Sequence, residues 1–209
     1  MEQTVRIKID EAELDGILGV PEKIKSVVAF AHGSASSRLS PRNTYVARVL
    51  QQAGIATLLF DLLTEKEDRI YEQRFDIERL ARRLVGATSW LMERPEFKGA
   101  ALGYFGASTG AAAALQGAAV LGSAVKAVVS RGGRPDLAIP YLGKVVASTL
   151  LIVGEHDVQV LQLNRQAFAH LAAEKELAVV PGATHLFEEP GTLEQAAELA
   201  KNWFVRHLG

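Results

Sequence analysis

Six short apolar runs show little alternation between apolar and polar positions: residues 26–31, 55–60, 100–105, 124–129, 148–153 and 176–180. Unbroken runs of that length predict strands covered on both faces, as in a mainly parallel sheet. Ahead of them, residues 4–9 alternate like a half-buried strand, and residues 14–20 read as its antiparallel hairpin partner, ended by Pro21. Between the runs the period changes to that of a helix. Tyr45, Val46, Val49 and Leu50 share one face, Ile77, Leu80, Ala81, Leu84, Val85 and Leu91 share another, and further helices are predicted over 158–173 and 193–207. Strand and helix alternate from Ser26 onward, which predicts a doubly wound α/β sandwich in one domain, residues 1–209. The charged segment 61–74 reads as a solvated loop entering the long helix, too short to be a lid domain.

Charge narrows the partners. With 23 Lys and Arg against 24 Asp and Glu, a net charge of -1, the chain lacks the basic excess that gathers around a phosphate backbone, so nucleic acid is not an expected partner. The absence of cysteine removes disulfides, thiolate metal sites and a cysteine nucleophile together, leaving hydroxyl, imidazole and carboxylate chemistry. Lys, Arg, Asp or Gly interrupts every apolar run well short of the roughly 20 residues a membrane span needs. The first ten residues have no apolar core of a secretory signal, so a cytoplasmic protein is the default expectation.

Gly106-Ala107-Ser108-Thr109-Gly110 follows the run 100–105, and a small-residue helix opens at Ala111. Gly-x-Ser-x-Gly in a strand-turn-helix context is the setting of a nucleophilic serine on a strained turn. A serine hydroxyl is a weak nucleophile at neutral pH and requires a base oriented by a carboxylate. Asp157, in the loop after the run 148–153, and His185, in the turn after the run 176–180, stand in the chain order Ser, Asp, His at the expected carboxyl edge of the sheet. Asp157 also fits an N-cap of the next helix, and Glu155 is the runner-up acid. His156 abuts the acid, His170 and His207 fall within predicted helices, and His32 reads as structural.

Acyl transfer needs donors for a developing oxyanion, and the N–H of Thr109, the residue after the nucleophile, is the first candidate. The loop His32-Gly33-Ser34-Ala35-Ser36-Ser37 after the run 26–31 offers Ser34 as the second. Arg38, Arg131 and Arg134 belong to loops at the same edge and are candidates to bind a substrate carboxylate or phosphate.

At these residues the sequence resembles the α/β-hydrolase superfamily, and among its small uncapped members it looks most like the dienelactone hydrolase-like group. The resemblance spans the His32-Gly33 loop, Phe60-Asp61-Leu62-Leu63-Thr64, the Ser108 turn, Gly154 to Asp157 and Gly182 to His185. It implies a three-layer sandwich on an eight-stranded sheet without a cap, hydrolytic activity on a small-molecule ester, and no cofactor or metal. Enzymes of that group acting on dienelactones carry cysteine where this chain has Ser108, so a general carboxylic ester or lactone is the expected substrate. Acyl transfer to another acceptor by the same three residues, and a binding protein that keeps the fold without turnover, are the alternatives.

Overall fold

The unbroken apolar runs form the centre of one sheet. The structure, a computed structural model, describes residues 1–209. Its strands are β1 (Glu2–Ile9), β2 (Ala12–Gly19), β3 (Ser26–Ala31), β4 (Ala56–Phe60), β5 (Ala101–Ala107), β6 (Val125–Arg131), β7 (Ser148–Gly154) and β8 (Lys175–Val180). Its helices are α1 (Pro41–Gln52), α2 (Glu65–Asp68), α3 (Ile77–Met92), α4 (Thr109–Leu121), α5 (Ile139–Leu142), α6 (Val158–His170) and α7 (Thr192–Leu208). The strand order is β1-β2-β4-β3-β5-β6-β7-β8, antiparallel from β1 through β2 to β4 and parallel thereafter. No helix is long and apolar enough to cross a membrane.

Alternation along each strand divides the interior into two layers. Leu102 and Tyr104 of β5 face a cluster completed by Leu80 and Leu84 of α3 and by Ala112, Ala113 and Ala114 of α4. Phe105 and Ala107 face the opposite cluster, with Val46 and Leu50 of α1 and Trp203 and Phe204 of α7. The result is three layers, helices over both faces of a mixed sheet, with no cap over its carboxyl edge. Small residues let α4 lie close to the sheet: Thr109 through Ala118 are all buried.

Segment 61–74 departs from the expected loop. Thr64 accepts a hydrogen bond from the Glu67 N–H while the Glu67 carboxylate accepts from the Thr64 N–H, a reciprocal cap that starts α2. A 3₁₀ turn, Tyr71–Phe75, then leads to Asp76, whose carboxylate caps α3 by accepting from the Arg79 N–H. Glu67 also pairs with Arg83 at 3.0 Å and Arg79 at 3.5 Å, tying the segment to α3. Helix α6 stops at His170, short of the expected 173, because the Lys175 ammonium donates to the carbonyls of Phe168 and Leu171 and so closes its C-terminal end.

In the core between α3 and β5, Thr88 Oγ1 donates to the Leu84 carbonyl at 2.9 Å, so the Tyr104 hydroxyl is the donor in its 2.6 Å contact with Thr88. Burial raises the Tyr104 phenol above its usual range and keeps that proton in place. Tyr104→Phe should destabilise the fold by about 1 kcal/mol. A urea titration with an unchanged slope and a lower midpoint is the expected readout.

Candidate active site

Ser108 sits between β5 and α4 with φ 52° and ψ −126°, a conformation that L side chains rarely adopt. The glycines on either side are required by close approach: a Cβ on Gly106 would overlap Ala111 Cα, and one on Gly110 would overlap the Ala31 carbonyl oxygen. The turn is then pinned by its backbone. Ser108 N–H donates to the Arg131 carbonyl at 3.3 Å, and the Ser108 carbonyl accepts from Ala111 at 3.1 Å and Arg134 at 3.0 Å. The hydroxyl therefore projects from the carboxyl edge of the sheet, beside the end of β6.

Asp157 precedes α6, yet its side chain makes no cap hydrogen bond. Its Oδ2 instead accepts from His185 Nδ1 at 2.6 Å, with the carboxylate side chain only 12% exposed. An imidazole held at Nδ1 by a carboxylate presents an unprotonated Nε2. Glu155, the other acid considered, accepts from the Gly182 N–H at 2.8 Å and so supports the turn that carries His185. Glu189 holds the same turn from the far side, taking the Thr184 N–H at 3.1 Å and its hydroxyl at 2.6 Å; these bonds hold its carboxyl below the usual range. Phe187, buried with φ 55°, anchors the chain beyond.

Ser108 and His185 line one cavity of about 200 Å³, with Gly33, Ser34, Arg42 and Arg131 among the other walls. No hydrogen bond joins Ser108 to the imidazole in this arrangement; such contacts commonly tighten only when substrate is bound. The N–H of Thr109, at the first position of α4, has no acceptor within the helix. Ser34 differs: its N–H donates to Thr109 Oγ1 at 2.9 Å, so a rotation of the Thr109 side chain must release it before it can serve a ligand.

Of the three arginines singled out in the sequence, only Arg131 reaches this cavity. Arg38 is turned toward β2 and β4, its N–H and guanidinium both bound by Asp61 and a further contact to Asp15 at 3.5 Å. Arg134 forms a two-pronged pair with Asp136, both bonds 2.8 Å. Those carboxylates satisfy both side chains locally, and neither arginine lines the cavity. Arg42 and Asn43, missed in the sequence, line the cavity from the first turn of α1. Ser40-Pro41 is a recognisable helix start and could have placed them at that end of α1.

His32 is structural in its bonding. Nε2 accepts from the Leu62 N–H at 3.0 Å, so Nδ1 carries the proton and donates to the Gly33 carbonyl at 2.9 Å. The neutral ring thus ties the loop after β3 to the loop after β4.

A mixed eight-stranded sheet of this order, with a strained serine turn leading into a buried helix, defines the α/β-hydrolase fold. Residues 42–208 match the dienelactone hydrolase family, and the chain belongs to that family of hydrolases. A solved dienelactone hydrolase from Anabaena variabilis is 52% identical, covers 100% of this chain and 99% of its own, and superposes with a TM-score of 0.96. Est1E from Butyrivibrio proteoclasticus, 14% identical over 97% of this chain and 98% of its own, shares the fold with a TM-score of 0.84. A Mycobacterium tuberculosis protein provisionally named as a phosphoribosyl transferase is 58% identical over 207 residues, 99% of this chain. The chain spans 47% of that relative's length, so more than half of the named protein has no counterpart here.

Two outcomes follow from this geometry. Gly110→Ala should destabilise by about 3 kcal/mol, because the added methyl meets backbone oxygens that cannot swing aside; chemical denaturation measures it. Burial depresses the His32 pKa below its ordinary 6.5. The unfolded chain therefore takes up a proton that the native state resists, and stability falls as pH drops below about 6.5. Thermal midpoints at pH 7.5 and 5.5 should show a smaller acid loss in His32→Gln than in the wild type.

Proposed function

We propose that the protein is a serine hydrolase that cleaves a small carboxylic ester or lactone through an acyl-enzyme on Ser108. His185 is the general base and Asp157 orients it. The observation that carries this reading is the 2.6 Å bond between His185 Nδ1 and Asp157, in a cavity shared with a serine on a strained turn. The family assignment supports hydrolysis as the reaction class.

In this mechanism the Ser108 proton passes to His185 Nε2 as Oγ forms a bond to the substrate carbonyl carbon. The carbonyl π electrons move onto oxygen, where the Thr109 N–H, and Ser34 once freed from Thr109 Oγ1, donate to the oxyanion. Collapse expels the alcohol, which takes the proton from His185, and leaves the acyl group on Ser108. Water then repeats the sequence: His185 takes its proton, the oxygen attacks the acyl carbon, and Ser108 recovers its hydrogen as the acid departs. Asp157 stays ionised throughout and stabilises the imidazolium that forms twice per cycle. The open edge of the sheet and the small cavity suit a compact acyl group.

Ser108→Ala should lower turnover of a neutral phenyl ester by about a thousandfold or more, and Asp157→Asn by on the order of ten thousandfold. Covalent labelling by a fluorophosphonate, located at Ser108 by peptide mass spectrometry, should be lost in Ser108→Ala. A folded wild-type protein that is neither labelled nor active on a panel of esters and lactones would contradict the proposal and favour a binding role.

A further inference from the structure

The cavity beside Ser108 carries an electrostatic anomaly. Arg131, the last residue of β6, is only 7% exposed, and its guanidinium lies 5.8 Å from the Phe105 ring and 5.9 Å from the Phe187 ring. Nη2 donates to Asn43 Oδ1 at 3.2 Å, while Nη1 has no partner at all. A buried cation ordinarily holds a carboxylate, since an uncompensated charge away from water is strongly destabilising. Here the residues around the cavity include neither Asp nor Glu. The second charge present has the same sign. Arg42 lines the same space, and burial together with that like charge pulls the Arg131 pKa down to about 10. Arg42 has a single acidic contact, 3.3 Å to Glu188, whose side chain is 65% exposed; a solvent-exposed pair of this kind neutralises little.

The backbone adds to the positive field. Arg42 and Asn43 are in the first turn of α1, a helix of 12 residues; Pro41 has no N–H and the Asn43 N–H donates to Ser40 Oγ at 3.4 Å, so Arg42 supplies the free N–H at this positively polarised end. Ser36 and Ser40 border the same space, and their hydroxyls supply further hydrogen-bonding groups. Two guanidiniums, a helix N-terminus and serine hydroxyls are the chemistry that recognises an oxyanion. The position is next to the nucleophile, because the Arg131 carbonyl accepts from the Ser108 N–H and Ala107 pairs with Arg131 across the β5/β6 ladder.

We propose that Arg131, Arg42 and the N-terminal turn of α1 form an oxyanion-binding subsite beside Ser108, and that the substrate is a small ester bearing a phosphate or carboxylate group. The reaction class rests on the hydrolase reading; the binding site does not. The subsite explains why a cation is buried without a counterion: the substrate supplies it. It also limits the distance between the anionic group and the scissile carbonyl, since both share a cavity of about 200 Å³.

Binding and turnover test the idea separately. Inorganic phosphate and acetate are titrated into the wild type by calorimetry at constant ionic strength, with chloride as the reference. Saturable binding of at least one is expected, weakened about tenfold or more in Arg131→Met and in Arg42→Gln. The second variant lies on a partly exposed helix start and keeps the test open if the buried substitution does not fold. Which anion binds more tightly distinguishes a phosphate from a carboxylate ligand. In parallel, kcat/KM is measured for phenyl esters carrying a carboxylate, a phosphate or a neutral isostere. A preference of about tenfold to a hundredfold for an anionic ester, reduced in Arg42→Gln, is expected. Anion binding no stronger than chloride, affinity that survives in the folded variants, or equal rates for anionic and neutral esters would overturn the subsite. Equal cleavage of all three esters would do so while leaving the hydrolase intact. Phosphate bound through Arg42 in a protein that cleaves no ester would instead retain the binding site and remove the hydrolase.

Discussion

The close approach of α4 to β3 and β5 is the constraint on which the rest of the site depends. A helix can begin that near the sheet only if the chain reverses in one residue, and Ser108 does so at φ 52° and ψ −126°. A non-glycine residue in such a region is strained by roughly 1–3 kcal/mol and persists only where its surroundings determine it. Three backbone hydrogen bonds and two glycines against neighbouring backbone supply that determination. The same contacts fix what lies around the hydroxyl. Because the Ser108 backbone bonds to both Arg131 and Arg134, the end of β6 is brought to the serine, and because Gly110 lies against Ala31 and His32, so is the loop after β3.

The opposite half of the site is built by another means. Although Ala183 and Phe187 of the same turn are buried, the His185 side chain is 40% exposed, so packing does little to fix the imidazole. Carboxylates hold it in place instead: Asp157 on the ring, Glu155 on the Gly182 N–H and Glu189 on Thr184. Backbone bonds from His156 to the Ala183 carbonyl and from Glu155 to the Val180 carbonyl join the loops after β7 and β8. A rigid serine turn thus faces an imidazole carried on a hydrogen-bonded loop, where small movements are easier than in the packed core. The serine and the imidazole share a cavity with no hydrogen bond between them.

Much of this was legible in the sequence where one local pattern decides the outcome. Fully buried parallel strands have to be apolar on both faces, so β3, β4, β5, β6 and β7 were visible as unbroken runs. Gly106 and Gly110 marked the serine turn because no other residue fits there. The reciprocal cap of Thr64 and Glu67 is equally local, but its three-residue spacing is masked by the surrounding charge. Side-chain partners were harder. Whether Asp157 caps α6 or holds a histidine depends on a residue 28 positions away. Arg38 finds Asp61 across 23 residues and Arg131 finds Asn43 across 88, separations that no local pattern encodes. Only the Arg134–Asp136 pair, two residues apart, could have been anticipated.

The arginines also separate structure from function by a physical criterion. Arg38, Arg74, Arg79, Arg83 and Arg134 each meet a carboxylate; the first four fasten one segment to another, and Arg134 braces its own turn. Arg131 is the most deeply enclosed of these six, and the one without an acid. If its purpose were to hold β6 against α1, an apolar side chain of similar volume would pack between Phe105 and Phe187 without the loss of hydration. Local rules of protein architecture are broken chiefly where a site requires it. The violation here lies beside the strained serine, so a strained turn and a buried cation without a counterion share one cavity, an arrangement that suits a ligand with a negative group and an electrophilic carbonyl placed between them.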